Sequence, residues 1–425
     1  MGSRAIGHRA GHRRRAAGAL VTAACVAGLS CATAAPAAAD ENTPLNSTEC
    51  KFGTNYIKET PWSLQRLLTT QLWEDTEGED AKVAVIDTGV DSDNPQIRRA
   101  LGSGGATVAG GGKATQDTVG HGTKVAGIIA AQRYPGSGFV GIAPKAKIIP
   151  FKTTSSEKGS TAETLARAID KARQAKVDVI NISQGTDASR DKLAVLEQAV
   201  ARAAADNILI VASAGNGGAD GGEKEMWPAA FSKDYPNVMA VAASDRNNER
   251  APFSQSGDFV SIAAPGVSMV STVPDGGNCV DQGTSFAAPY AAGAAALLIS
   301  KHKHDKVGGK WKPQEVIWHL EKTAERVKTK RDDFIGWGVV DPVAALNDDE
   351  RPTAKPQPDQ NKNAAAGLDI KPVSITLGES EEDRRTRIAI YIVGGGILAA
   401  GAVVGSAVAL RDWRRKNGIG TNGEA

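Results

Sequence analysis

Lys82-Val-Ala-Val-Ile-Asp87-Thr-Gly-Val90 decides how the rest of the chain is read. Residues 82–86 are a short, β-rich apolar run, and a carboxylate follows where the run ends in Asp-Thr-Gly. A near-continuous apolar run marks a strand buried on both faces, as in a parallel sheet. Outward from it, strand and helix signals alternate over residues 60–346. The spacing predicts a helix at Thr123–Gln132, a strand at Lys147–Phe151 and a helix at Thr161–Gln174, whose apolar face is Leu165, Ala168, Ile169 and Ala172. It then predicts a strand at Val177–Ile182, a helix at Leu193–Ala205, strands at Ile208–Ala212 and Val238–Ala242, and an apolar helix at Ser285–Ser300. This alternation argues for an α/β domain with a mainly parallel sheet covered on both faces. Functional groups in such sheets sit at the carboxyl ends of strands and in the loops that follow.

Three motifs occupy such positions. Asp87 closes the first strand. His121, in Gly120-His-Gly-Thr123, opens a helix. Ser285, in Gly283-Thr-Ser-Phe-Ala-Ala-Pro289, starts the apolar helix. Ser285 suits a nucleophile, His121 the base that takes and returns its proton, and Asp87 the group that fixes the imidazole. A fourth motif, Ile208-Leu-Ile-Val-Ala-Ser-Ala-Gly-Asn216-Gly217, ends a strand in a Gly-flanked carboxamide. Asn216 and the Ser285 backbone N–H could together donate to a developing oxyanion. Taken alone, Asp87 also reads as a helix cap and Asp-Thr-Gly as a turn. No phosphate-binding glycine pattern follows the first strand, so a nucleotide-binding protein is disfavoured.

The two ends read as targeting and anchoring segments. Arg13, Arg14 and Arg15 precede the apolar run Ala16–Leu29, and Ala37-Ala-Ala39 precedes Asp40, the three-part design of a secretory signal peptide over residues 1–39. Ile388–Leu410 holds no charge and is long enough to cross a bilayer as a helix. Arg411, Arg414, Arg415 and Lys416 follow it against Arg384, Arg385 and Arg387 before it, a narrow basic margin, and the signal peptide settles the expected orientation: residues 411–425 in the cytoplasm and residues 40–387 outside. Residues 347–387, with Pro352, Pro356 and Pro358, read as a polar linker. Residues 40–59 form a short N-terminal extension.

The 425 residues are 41% hydrophobic and 23% charged, which excludes global disorder. The net charge of +2 hides an asymmetry: residues 40–383 carry 38 basic and 46 acidic side chains, net −8. Such a domain is a poor nucleic-acid binder. Once the leader is removed, Cys50 and Cys279 remain. Outside the cytoplasm they allow one intramolecular bridge, tying the extension to a loop before Ser285; two free or intermolecular thiols are the alternative. His302-Lys-His304 reads as a solvated basic helix end rather than a metal site, and no cofactor or metal is called for. Asp91 and Asp93 read as caps of the turn before Pro95.

Asp87, His121, Asn216 and Ser285, in that order and in those motifs, resemble the subtilisin-like serine proteases over residues 60–346. The membrane-anchored layout, with Pro61-Trp-Ser-Leu-Gln-Arg-Leu67 opening the domain, is similar to mycosins, proteases associated with type VII secretion. The resemblance implies a subtilisin-like three-layer sandwich followed by one transmembrane helix. It implies that Ser183, Gln184 and Gly185 pair with an extended protein or peptide substrate and line its specificity pocket, with Gly215 beside them. It departs at Phe286 and Tyr290, where many subtilases have Met and His. Only 47 residues separate Asp40 from Asp87, too few for the usual folding pro-domain. Two functions follow. One is a membrane-tethered extracytoplasmic serine endopeptidase. The other is a structural subunit of the secretion membrane complex whose proteolysis is secondary.

Overall fold

The computed structural model describes residues 50–156, 160–218, 224–303, 305, 309–326, 330–357 and 381–416. The predicted leader, residues 40–49 of the extension, residues 358–380 of the linker, the tail beyond 416, and His304 lie outside the described residues. The chain divides into two compact units, Met1–Gln360 and Asn361–Ala425.

The first unit is built on a seven-stranded sheet in the order β2-β3-β1-β4-β5-β6-β7, with every pair parallel. The strands are β1 (Lys82–Asp87), β2 (Ala106–Thr107), β3 (Lys147–Lys152), β4 (Val179–Ile182), β5 (Leu209–Ser213), β6 (Val238–Ser244) and β7 (Ile262–Pro265). Period-two alternation divides their side chains between two cores. Val83 and Val85 join one cluster with Val179, Val211 and Val241. Ala84 and Ile86 join the other with Ile180, Ile182 and Ile210. This burial on both faces is why the strands read as continuous apolar runs.

Helices form the outer layers. Helices α1 (Trp62–Gln65) and α2 (Thr69–Leu72) precede the sheet. On one face lie α3 (His121–Ala130) and α6 (Thr284–Lys301). On the other lie α4 (Ala162–Gln174) and α5 (Ala194–Ala205). Together they give the expected three layers. Two antiparallel strands, β8 (Met269–Thr272) and β9 (Asn278–Asp281), precede α6. Helices α7 (Pro313–Thr323) and α8 (Pro342–Asn347) close the unit; Asp341 caps α8 by accepting from Val343 and Ala344 N–H, each at 3.0 Å.

Predicted boundaries shift by at most two residues. Both ends of α3 move by two residues, and it starts at His121 because Gly120 turns the chain in the left-handed region (φ 85°). At the predicted turn before Pro95, Asp91 accepts from Asp93 N–H at 3.2 Å, and also from Asp275 N–H at 2.8 Å.

One expectation is corrected. His302 is not at a solvated helix end. It is 5% exposed, its ring stacks on Trp311 at 4.0 Å, and it bonds Asp305 at 3.0 Å. Trp311 supplies an apolar lid that the basic local sequence does not reveal.

The Cys50–Cys279 bridge is present, with a Cα–Cα distance of 5.8 Å. Residues 50–59 run beside β9 and bond to it: Asn278 N–H donates to Asn55 O and Ile57 N–H to Asn278 Oδ1, each at 3.2 Å. The second unit contributes α9 (Glu381–Lys416), a helix long and apolar enough from Ile388 to cross a membrane.

Candidate active site

Three neighbouring strands bring their carboxyl ends to one cavity. Asp87 ends β1, Ser183 follows β4, and Asn216 follows β5. The cavity, about 520 Å³, is lined by His121, Ser183, Gly185, Asn216, Met226 and Ser285 among others. Residues 281–286 add a wall from the end of β9 and the start of α6.

His121 Nδ1 meets Asp87 Oδ1 at 2.7 Å. Asp87 is fully buried, and the His121 side chain is 25% exposed. Burial pushes the imidazole down, but the Asp87 charge and hydrogen bond outweigh it, so His121 stands above its ordinary value of 6.5. The contact needs the β1 loop to touch the start of α3. Gly122 permits this, because a Cβ there would lie 2.0 Å from Gly89 O and 3.0 Å from Asp87 Cβ. Asp117 fastens the two pieces. It accepts from Thr88 Oγ1, Gly120 N–H and Thr123 N–H, each at 2.8 Å, and from Thr123 Oγ1 at 2.7 Å.

Ser285 and Ser183 exchange two hydrogen bonds. Ser285 Oγ donates to Ser183 O at 3.0 Å, and Ser183 Oγ donates to Ser285 O at 2.8 Å. The second bond has a local cause. Pro289, four residues on inside α6, has no N–H to give to the Ser285 carbonyl. The Ser285 hydroxyl itself donates to Ser183 O and makes no hydrogen bond to His121 among the described residues. Phe286 packs between α3 and α6, with its ring centroid 5.6 Å from that of His121.

Asn216 Oδ1 accepts from Thr284 N–H and from Thr284 Oγ1, each at 2.9 Å. A backbone N–H can only donate, so the oxygen faces Thr284 and the NH₂ is left toward the cavity.

The predicted substrate-binding residues divide. The peptide groups of Gln184 and Gly185 make no hydrogen bond among the described residues, and they lie on the cavity wall. That leaves an edge for an extended chain. The Gln184 side chain is turned inward: Oε1 accepts from Ser160 Oγ at 2.7 Å and Thr153 Oγ1 at 3.3 Å, and Nε2 lies 3.5 Å from Asp87 Oδ1. Gly215 also serves the wall, with its N–H donating to Thr284 Oγ1 at 3.1 Å and its carbonyl accepting from Gln255 N–H at 2.9 Å. Met226 presses on Gly185, where a Cβ would come within 2.7 Å of its Sδ.

Residues 78–338 match the model of the Subtilase family. The chain is a subtilase. Subtilisin Savinase of Lederbergia lenta is 36% identical to it over 286 residues, 67% of this chain and 98% of that one. An alkaline protease of Alkalihalobacillus alcalophilus is 36% identical over 293 residues, 69% of this chain and 71% of that one. Among solved structures, the MycP3 protease from the type VII (ESX-3) secretion system aligns with a TM-score of 0.59 at 31% identity, covering 69% of this subtilase and 91% of that chain. MycP1 from Mycobacterium smegmatis aligns with a TM-score of 0.62 at 27% identity, covering 74% and 93%. This subtilase is a serine endopeptidase, close in structure to the mycosins.

Asp117, Thr284, Lys124 and Asp281 were missed by the reading of the sequence. Asp117 and Thr284 had a local signal, since each is a polar residue within four positions of a predicted site residue. Lys124 sits three residues after His121, on the same helix face. Asp281 lies four positions before Ser285, but nothing in the local sequence shows that it would meet Lys124.

Proposed function

We propose that this subtilase cleaves peptide bonds with Ser285 as nucleophile, His121 as general base and acid, and Asp87 as the group that orients the imidazole. The observation that carries the reading is the 2.7 Å contact between His121 Nδ1 and Asp87 Oδ1. It leaves His121 Nε2 for the cavity that Ser285 lines. An extended peptide adds to the free edge of Gln184 and Gly185, which presents its carbonyl to Ser285. Rotation about the Ser285 Cα–Cβ bond moves its proton from Ser183 O to His121 Nε2, and Oγ attacks the carbonyl carbon. The Asn216 NH₂ and the Ser285 N–H stabilise the oxyanion. The imidazolium then returns its proton to the leaving amine, and water repeats the cycle on the acyl-enzyme.

The enzyme works outside the cytoplasm, tethered by Ile388–Leu410, and its substrates are exposed, extended protein segments at that membrane face. The charge-free run and the basic residues after it support this topology. Likeness to the MycP proteases supports a place beside a type VII secretion membrane complex.

Detergent-solubilised full chain, treated with a fluorophosphonate, tests the chemistry. Labelling that vanishes in Ser285→Ala is expected. A folded wild-type chain that takes no label would overturn the reading. Equal loss of secretion in cells carrying Ser285→Ala and in cells lacking the chain would tie its role to cleavage; secretion intact with Ser285→Ala alone would favour a docked subunit.

A further inference from the structure

Lys124 and Asp281 form a second ion pair inside the catalytic cavity. Nζ and Oδ2 are 2.5 Å apart, and the side chains are only 5% and 6% exposed. Asp281 Oδ1 also accepts from Gln282 N–H at 2.8 Å. Lys124 Nζ stands 5.6 Å from the centroid of Phe286, the ring that packs on His121. A buried ion pair is often no more stabilising than apolar residues of equal volume, so stability alone is a weak reason for this one. Its position suggests another. Lys124 shares a helix face with His121, and Asp281 reaches it from the end of β9.

We propose that Lys124 and Asp281 are positioning residues: a closed, mutually neutralising pair that backs Phe286 against His121 and keeps either charge from acting alone on the catalytic imidazole. The inference rests on His121 being the base. The charged groups that face His121 are Asp87 from β1, Lys124 from its own helix and Asp281 from β9. Asp117, just before α3, is held by Thr88, Gly120 and Thr123. Phe286 brings no charge from α6. Lys124 pushes the imidazole down and Asp281 pushes it up, so while the pair is closed the two oppose each other.

The test is the pH dependence of the fluorophosphonate labelling rate at Ser285, measured on the full chain in detergent. Asp281→Asn leaves the ammonium alone, and the midpoint should fall by roughly half a unit to one unit. Lys124→Met leaves the carboxylate alone, and the midpoint should rise by a similar amount. The double variant should return to the wild-type midpoint. A role in packing alone would lower rates or melting temperatures without opposite shifts that cancel. Midpoints that stay put, or that move the same way in both single variants, overturn the inference. Should Lys124→Met fail to fold, the isosteric Asp281→Asn and the double variant decide: a fall in the first that is absent from the second supports the pair, and any other pattern refutes it. Labelling absent at every pH in wild type would instead overturn the reading of His121 and Ser285, and this inference with it.

Discussion

Thr284 holds Asn216 by its amide oxygen, through its N–H and its hydroxyl, each at 2.9 Å. That aims the Asn216 NH₂ at the cavity before any substrate binds. A donor aligned in advance costs no reorganisation when negative charge develops. Asn216→Leu should therefore lower kcat by about 10²–10³-fold, the range known for an oxyanion-hole asparagine in a subtilisin, and leave KM within about twofold. Thr284→Val keeps the N–H and loses the hydroxyl, so its loss should be smaller. Steady-state kinetics on a peptide ester or amide checks both. An unchanged kcat in a folded Asn216→Leu would remove Asn216 from the mechanism.

The Asp87–His121 contact sets the sign of the pH profile. His121 stands above 6.5 because the Asp87 carboxylate outweighs the burial that opposes it. The base form is neutral, so activity should be lost as pH falls through a midpoint above 6.5, later on the way up than for a free imidazole. Asp87→Asn should lower kcat by about 10⁴-fold, because the imidazole loses its fixed tautomer. A profile flat between about pH 5 and 8 would count against His121 as base.

The bridge between Cys50 and Cys279 closes a sequence separation of 229 residues. Constraint on so long a loop makes Cys50→Ser/Cys279→Ser less stable by about 2–5 kcal/mol. Residues 50–59 line no part of the catalytic cavity among the described residues. The variant should therefore melt at a lower temperature and still label at Ser285. A folded variant that fails to label would show that this segment holds the site together.

Glu321 lies on α7, 3% exposed, and its Oε2 has no partner among the described residues. Burial pushes its carboxyl up to about 8, against the milder pull of Lys355 and Arg331. The folded state then holds the proton more tightly than the unfolded chain. The resulting stability is complete below the unfolded value of 4.5 and is lost as pH rises toward about 8. Denaturant melts of wild type should weaken by roughly 3–4 kcal/mol between about pH 5 and pH 8 from this group, and Glu321→Gln should remove that slope. Equal slopes in both proteins would refute it.

Much of the molecule was legible in sequence because its causes are local. Burial of strands on two faces writes continuous apolar runs, so β1, β3, β4, β5 and β6 could be read directly. A parallel sheet sends its functional residues to strand ends, so Asp87 and Asn216 stood out by position. His121 and Ser285 stood out because each opens a helix in a glycine-bearing motif. The contacts between these pieces are not local. Lys124 and Asp281 are 157 residues apart, and only the packing of α3 on the β8–β9 ribbon makes them a pair. The Ser183–Ser285 exchange spans 102 residues and depends on a carbonyl that Pro289 leaves free. Gln184 read as a polar substrate contact, yet it turns inward because Ser160 and Thr153 reach it across the loop. His302 read as solvated until Trp311 covered it. Periodicity and turn chemistry act over a few residues, so the sequence alone determined the elements and singled out the groups proposed to react. The orientation of those groups, and the charge each one faces, came from tertiary packing, because hydrogen bonds and ion pairs depend on distances that only the assembled fold sets.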